Sequence, residues 1–246
     1  MAEITNSTTV GQLVAERPSR ARVFERFGID YCCGGKQALG DACAAQGLET
    51  QRVTAALHEA DQQRAAPDET DWTHATLREL IANILDQHHA YLRRELPRLT
   101  EIVAKVHSVH GERHPELVEV RQTYDGLRAE LEAHMLKEEQ ILFPLVQAME
   151  SLQTVEAAHC GSVRNPIRVM EHEHDSAGAA LAQMRRLTND FRMPEDGCNT
   201  YRAMLDGLAE LEADLHQHIH KENNILFPRA TELEASLAQA TTADQG

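Results

Sequence analysis

The sequence predicts an all-α protein: an up-down-up-down four-helix bundle behind a small helical N-terminal domain. Three observations carry that expectation. No period-two alternation of apolar and polar residues persists beyond a few positions, which argues against strands. From Thr76 onward, four long segments repeat their apolar residues at spacings of three and four, the pattern of amphipathic helices that bury one stripe. One phrase also occurs twice, His134-Met-Leu-Lys-Glu138-Glu-Gln-Ile-Leu-Phe-Pro144 and His218-Ile-His-Lys-Glu222-Asn-Asn-Ile-Leu-Phe-Pro228, as if one helical hairpin were repeated.

Along the chain, short helical stretches are expected at Val10 to Glu16, Ser19 to Phe27, Gln37 to Gln46 and Thr50 to Ala60, set apart by glycine and proline. They form a domain over residues 1–62. Residues 63–73, with Pro67, read as a linker, and Trp72 is expected to anchor it against the bundle of residues 74–240. The four bundle helices are expected at about 74–107, 116–150, 162–191 and 196–238. Leu77, Ile81, Ile84, Leu85, Leu92 and Leu96 mark the first stripe, and Leu127, Leu131, Ile141, Leu142 and Leu145 the second. Ile167, Met170, Ala177, Leu181 and Met184 mark the third; Leu208, Leu211, Leu215 and Leu226 mark the fourth.

Composition narrows the function. The 246 residues carry 39 acidic and 24 basic side chains, a net charge of −15 that would repel a phosphate backbone, so nucleic acid is not an expected partner. No apolar run approaches the roughly 20 residues of a membrane span, and the N-terminus lacks a basic region followed by an apolar one. A soluble, cytoplasmic protein is expected. Five cysteines, an odd number, argue for reduced thiols rather than a disulfide framework.

Fourteen histidines are many, and helical spacing sorts them. A histidine and a carboxylate four residues apart share one face of a helix. His134 follows Leu127 by seven and Leu131 by three, and Glu138 and Leu142 continue in steps of four; His218, Glu222 and Leu226 repeat the arrangement after Leu211 and Leu215. His174 lies on the stripe of Ile167, Met170 and Leu181. His88 and His89 both have apolar neighbours, and spacing does not choose between them. His172, His216 and His220 are expected at the surface, as are Glu210, Glu212 and Asp214.

Buried carboxylates cost several kcal/mol each unless a cation or hydrogen bonds compensate. A metal-free bundle in which the histidines bond the two glutamates is the competing reading. Metal accounts for the repeated pair more economically. Imidazole and carboxylate without thiolate suit iron, and less exclusively manganese or zinc. Two carboxylates shared by two ions act as bridges, each ion takes two imidazoles, and the remaining positions are open to NO or O2.

The paired His-x-x-x-Glu resembles hemerythrin-like proteins. Four further strings resemble one branch more closely, the repair of iron centres family of YtfE and ScdA-type di-iron proteins. They are Asp30-Tyr31-Cys32-Cys33-Gly34-Gly35-Lys36, the string from His134 to Pro144, Val169-Met170-Glu171-His172-Glu173-His174-Asp175, and Glu222 to Ala230. The resemblance covers nearly the whole chain. It implies that His89, His134, His174 and His218 are terminal ligands of two iron ions, bridged by Glu138 and Glu222 and by an oxo or hydroxo group. It implies protection against nitrosative and oxidative stress through repair of damaged iron-sulfur proteins, with iron donation and reduction of NO to nitrous oxide as the chemistries, and an O2 or NO sensor as a third reading. The electron donor stays unnamed, and a homodimer stays open. Glu173, beside His174, is expected either to support a ligand or to replace one.

Cys32 and Cys33 precede a Gly-Gly turn and a short helix, whose N-terminus would favour thiolate. A disulfide between adjacent cysteines would be strained and easily reduced. The pair reads either as a redox or transfer site or as small side chains packing a miniature domain. Cys43, Cys160 and Cys198 have no ligand spacing and read as packing residues or exposed thiols.

Overall fold

A computed structural model describes residues 4–62, 70–152 and 161–243. Most of the expected linker and Cys160 lie outside the described residues. Every extended element is a helix, and the described residues contain no strand beyond an isolated bridge of Thr9 with Ala38. No helix among them is long and apolar enough to cross a membrane. The chain divides into two compact units. One holds Met1–Ile81, Met149–Val155 and His216–Gly246; the other holds Ala82–Ala148 and Glu156–Leu215.

In the first unit, α1 (Val10–Glu16) starts at Thr9, whose hydroxyl accepts the backbone N–H of Gln12 at 3.2 Å. A 3-10 turn (Pro18–Arg20) leads into α2 (Ala21–Phe27), which ends at Gly28 in the left-handed region at φ 66°, where a side chain would be strained. α3 (Leu39–Ala45) and α4 (Thr50–Gln62) follow. Val10, Leu13, Phe24, Leu39, Val53 and Leu57 close a small core. Arg20, also buried, forks onto Asp61 with contacts of 3.0 and 2.7 Å and donates to the Leu13 carbonyl, so its charge is paired and hydrogen-bonded.

The long helices begin with α5 (Leu77–Asn83), which passes through a π-helical turn (Ile84–His89) into α6 (Ala90–His110). α7 (Glu116–Lys137) passes through a second π turn (Glu138–Leu142) into α8 (Phe143–Leu152). α9 (Arg164–Leu187) is uninterrupted, and α10 (Asn199–Lys221) passes through a third π turn (Glu222–Leu226) into α11 (Phe227–Ala243). In the second unit, Leu92, Leu96, Leu127, Met170, Leu181 and Leu208 are buried, as the expected stripes require, together with Leu99 and Val120, whereas Ile141, expected on the second stripe, is 52% exposed. Tyr124 is buried among them and donates its hydroxyl to the Leu96 carbonyl at 2.6 Å.

The end of the third long helix departs from its expected boundary. α9 stops at Leu187 rather than near residue 191, because Asn189, Asp190 and Phe191 take left-handed φ values of 49°, 58° and 55°. Thr188 stabilises the stop, donating to the Met184 carbonyl and accepting the N–H of Phe191. Trp72 is half-buried, with its carbonyl bonded by Arg229 and the Lys221 ammonium 5.7 Å from its ring, which agrees with an anchoring role.

Candidate metal centre

The π turns have a cause in the sequence. Glu138, Leu142 and Val146 are spaced by four, as are Glu222, Leu226 and Ala230. On a regular α-helix each four-residue step overshoots a full turn by about 40°, so such a row drifts off the buried face. A wider turn corrects the drift. Pro144 and Pro228 reinforce it, since each lacks the N–H that an α-helical ladder would use and its ring crowds the carbonyl four residues back. The N–H groups of Phe143 and Phe227 accordingly bond the carbonyls of Glu138 and Glu222, five residues back. Both repeated carboxylates therefore open a π turn, and His89 closes one.

In the second unit, His89, His134, Glu138 and His174 are all buried. Glu138 Oε2 lies 3.3 Å from His89 Nε2 and 3.3 Å from His134 Nε2. The Nε2 atoms of His134 and His174 are 3.2 Å apart. In the first unit, His218 Nε2 lies 3.0 Å from Glu222 Oε1, and both side chains are buried. In the second unit the ligand atoms of His134, Glu138 and His174 fall within 4.8 Å of one another, and in the first unit so do those of His218 and Glu222. Each unit thus holds one of the two repeated carboxylates beside imidazole.

This donor set fits two cations. Neither Glu138 oxygen has a hydrogen bond among the described residues, although both are buried. Leaving a carboxylate in that state without a counter-charge costs several kcal/mol. Ligand distances of about 2.0 to 2.2 Å place neighbouring donors about 3 Å apart and opposite donors about 4.3 Å apart, within the observed spread.

Outer carboxylates aim the imidazoles. Glu139 Oε1 lies 2.6 Å from His89 Nδ1, and Glu173 Oε2 lies 2.9 Å from His134 Nδ1. A carboxylate only accepts, so each Nδ1 carries the proton and each Nε2 turns its lone pair toward the ligand cluster. Burial alone would raise the pKa of both carboxylates. Hydrogen bonds from His89 and Arg93 outweigh it at Glu139, those from Lys137 and His134 outweigh it at Glu173, and both stay below the usual carboxylate range. Glu173 thus supports His134 on α7 rather than its own neighbour His174. Glu139 escaped sequence reasoning, because a residue one step from a ligand points away from it on a regular helix.

His88 is buried but bonds Asp214 at 2.9 Å, whereas His89 turns its Nε2 to Glu138 Oε2 at 3.3 Å. Four surface expectations need correction. His220 is buried and unsuited to carry charge, with desolvation lowering its pKa to about 4. Glu212 is buried against Arg185, and Asp214 is half-buried against His88. His216 is half-buried with its ring edge-on to Tyr31. His172 and Glu210 are exposed as expected.

Cys32 and Cys33 lie in a turn shaped by Asp30, whose carboxylate accepts the backbone N–H groups of Cys32, Cys33 and Gly34 at 2.9, 3.0 and 2.9 Å. The two sulfurs stand 3.9 Å apart, beyond a disulfide. The expected thiolate is overturned at Cys32: its hydrogen bond with Cys33 first, and burial second, push the thiol up. The next helix in sequence starts only at Leu39, six residues beyond Cys33. Asp30, Cys32 and Cys33 offer a third group of ligand atoms within 4.8 Å. The loop seats on the turn that carries Glu222: Asn224 donates to the carbonyls of Tyr31 and Cys32 at 3.2 and 3.0 Å, and Asn223 to that of Cys32 at 3.4 Å.

Long helices that gather buried imidazoles and carboxylates define a class of cation-binding helical protein. Residues 80–230 match the family described as Hemerythrin HHE cation binding domain, and residues 6–61 match ScdA_N, described as a domain of unknown function. The chain is 38% identical over 229 residues to the iron-sulfur cluster repair protein YtfE of Musicola paradisiaca, spanning 92% of this chain and 97% of that one. It is 38% identical over 221 residues to the protein of the same name from Escherichia coli O157:H7, spanning 90% and 95%. It is 37% identical over 222 residues to that from Dickeya chrysanthemi, spanning 90% and 96%. The chain belongs to the YtfE family of hemerythrin-domain proteins.

Proposed function

We propose that this chain repairs iron-sulfur clusters damaged by nitrosative or oxidative stress, and that it does so by giving up iron held at a carboxylate-bridged pair of ions. The observation that carries the reading is the pair of buried carboxylates, Glu138 beside His89 and His134 in one unit and Glu222 beside His218 in the other. In this reading His89, His134, His174 and His218 are terminal ligands and the two glutamates bridge. A bound di-iron centre would supply ferrous ions and open positions for a small diatomic such as NO.

The protein's own residues account for retention and release. Glu139 and Glu173 hold imidazole protons at Nδ1 and keep Nε2 available, while the apolar side chains around the ligands exclude water. The absence of thiolate from the two sets favours release, because soft sulfur ligands would hold iron more firmly. We read residues 1–62 as a docking domain, 63–73 as its linker and 74–240 as the iron-holding bundle. Half-buried Cys33, with Cys32 behind it, is the thiol we assign to transfer toward a damaged client protein, with an electron donor keeping the pair reduced.

The test is anaerobic reactivation of an NO-inactivated iron-sulfur dehydratase by iron-loaded protein, beside metal-stripped protein and Glu222→Leu protein, with nitrous oxide followed in the same vessel. Reactivation that requires bound iron and releases little gas is expected. Nitrous oxide in molar excess over the protein would instead make the chain an NO reductase.

A further inference from the structure

Cys198 carries no signal in the sequence, yet its surroundings are built for a sulfur anion. It immediately precedes α10 and occupies the capping position of that helix, its carbonyl accepting the N–H of Arg202 at 3.0 Å. Its sulfur takes the place usually held by a serine or aspartate oxygen and accepts the backbone N–H groups of Thr200 and Tyr201. The third contact comes from His110, a side chain only 3% exposed, whose Nε2 lies 3.2 Å from Cys198 Sγ. Arg113 reaches the other ring nitrogen, Nδ1, at 3.4 Å. A guanidinium only donates, so Nδ1 is the acceptor and Nε2 carries the proton, directed at the sulfur. Tyr201 holds the imidazole edge-on at 5.3 Å between ring centroids. Every polar contact of the sulfur is therefore a donor, which favours thiolate over thiol, and the sulfur itself is exposed.

We propose that Cys198 is a thiol-disulfide exchange site that takes up low-molecular-weight disulfides of the glutathione type. In the step, the Cys198 thiolate attacks one sulfur of the disulfide and a new S–S bond forms. The original S–S bond breaks, and the departing sulfur leaves with the electron pair as a thiolate that takes its proton from water. No outside oxidant is needed, because the incoming disulfide is the oxidant and is itself reduced. The site is separate from the ligand clusters: α6 carries His110 at its far end, about 30 Å along the helix from His89.

The backbone of Tyr201 first, and His110 second, pull the Cys198 thiol down to about 7. The titratable and charged groups gathered around it are His110 on α6, Arg113, His114 and Glu116 at the start of α7, Asp196 in the preceding loop and Tyr201 on α10. A thiol that ionises near neutral pH attacks disulfides well there but is intrinsically the weaker nucleophile, with a Brønsted coefficient of about 0.4 to 0.5. This gives the site a signature that burial or exposure alone would not produce.

The test reacts the full-length protein with glutathione disulfide and follows the adduct on the Cys198 peptide by mass spectrometry, beside a free peptide of residues 194–202. At pH 7 the folded site, about half ionised against about 3% for an ordinary thiol, is expected to react about threefold faster than the peptide. At about pH 9.5, where both are ionised, it is expected to react about fivefold slower. His110→Gln is expected to shrink both differences, and Cys198→Ser to remove the adduct from that peptide. The crossover is read on the unmodified protein, so it stands even if His110→Gln fails to fold. A rate ratio that is the same at both pH values, or below one at pH 7, would overturn the proposal.

Discussion

Glu138 is the residue where burial and charge conflict most directly, since both its oxygens are enclosed and neither has a hydrogen bond among the described residues. Replacing such a group by an apolar one of similar size typically stabilises a protein by about 1 to 4 kcal/mol. Glu138→Leu is therefore expected to raise the melting temperature of the metal-stripped protein while reducing bound iron from two ions per chain to one or none, measured by calorimetry and iron assay. A lower melting temperature would show that the carboxylate is compensated by the protein itself. Glu139→Ala and Glu173→Ala remove the acceptors that set the imidazole tautomers, and each is expected to weaken iron binding about 10- to 100-fold in competition with a chelator. At His220, burial lowers the folded pKa to about 4 from an unfolded value near 6.5. The unfolded chain then binds more protons between those values, so stability is full above about pH 6.5 and falls toward pH 4, by about 3 kcal/mol in all. Denaturant titrations of metal-stripped protein across that range should show the slope, and His220→Gln should flatten it.

At the scale of elements, the ligands depend on helices that are locally not α-helical. The His-x-x-x-Glu spacing places ligand and carboxylate on one face, but the following Leu and Pro keep that face buried only because the turn widens at Glu138 and again at Glu222. Pro228→Ala restores an N–H able to bond four residues back and removes a ring that crowds the α-helical ladder. Iron affinity is expected to fall about tenfold or more while the metal-free protein melts at a higher temperature, the usual consequence of replacing a proline inside a helix. Unchanged iron affinity would mean that the proline does not maintain the wide turn. The apolar stripes, the two carboxylates and three of the four histidine positions were legible from spacing. The choice of His89 over His88 was not, because both precede Leu92 within one turn and the π turn Ile84–His89 shifts the register that would separate them.

At the scale of the whole molecule, Asn224 ties the cysteine loop to the turn that bears Glu222, and it fits only against glycine. A Cβ at Gly35 would lie 2.1 Å from Asn224 Oδ1, and one at Gly11 would lie 2.3 Å from it. Gly35→Ala is expected to loosen the loop and raise the alkylation rate of Cys32, whereas Gly35→Ala with Asn224→Ala should not add to the effect of Asn224→Ala alone, a non-additivity that marks direct contact. Helical periodicity, charge and the repeated phrase determined by themselves the all-helical class, the long buried stripes and five of the six ligand candidates, since each follows from the spacing of residues along one helix. Only tertiary structure decided which outer carboxylate serves which imidazole, that His220 and Glu212 are buried, that Cys32 is held as a thiol, and that Cys198 meets His110. Those outcomes depend on which side chains of distant segments meet, and spacing within a segment does not carry that information.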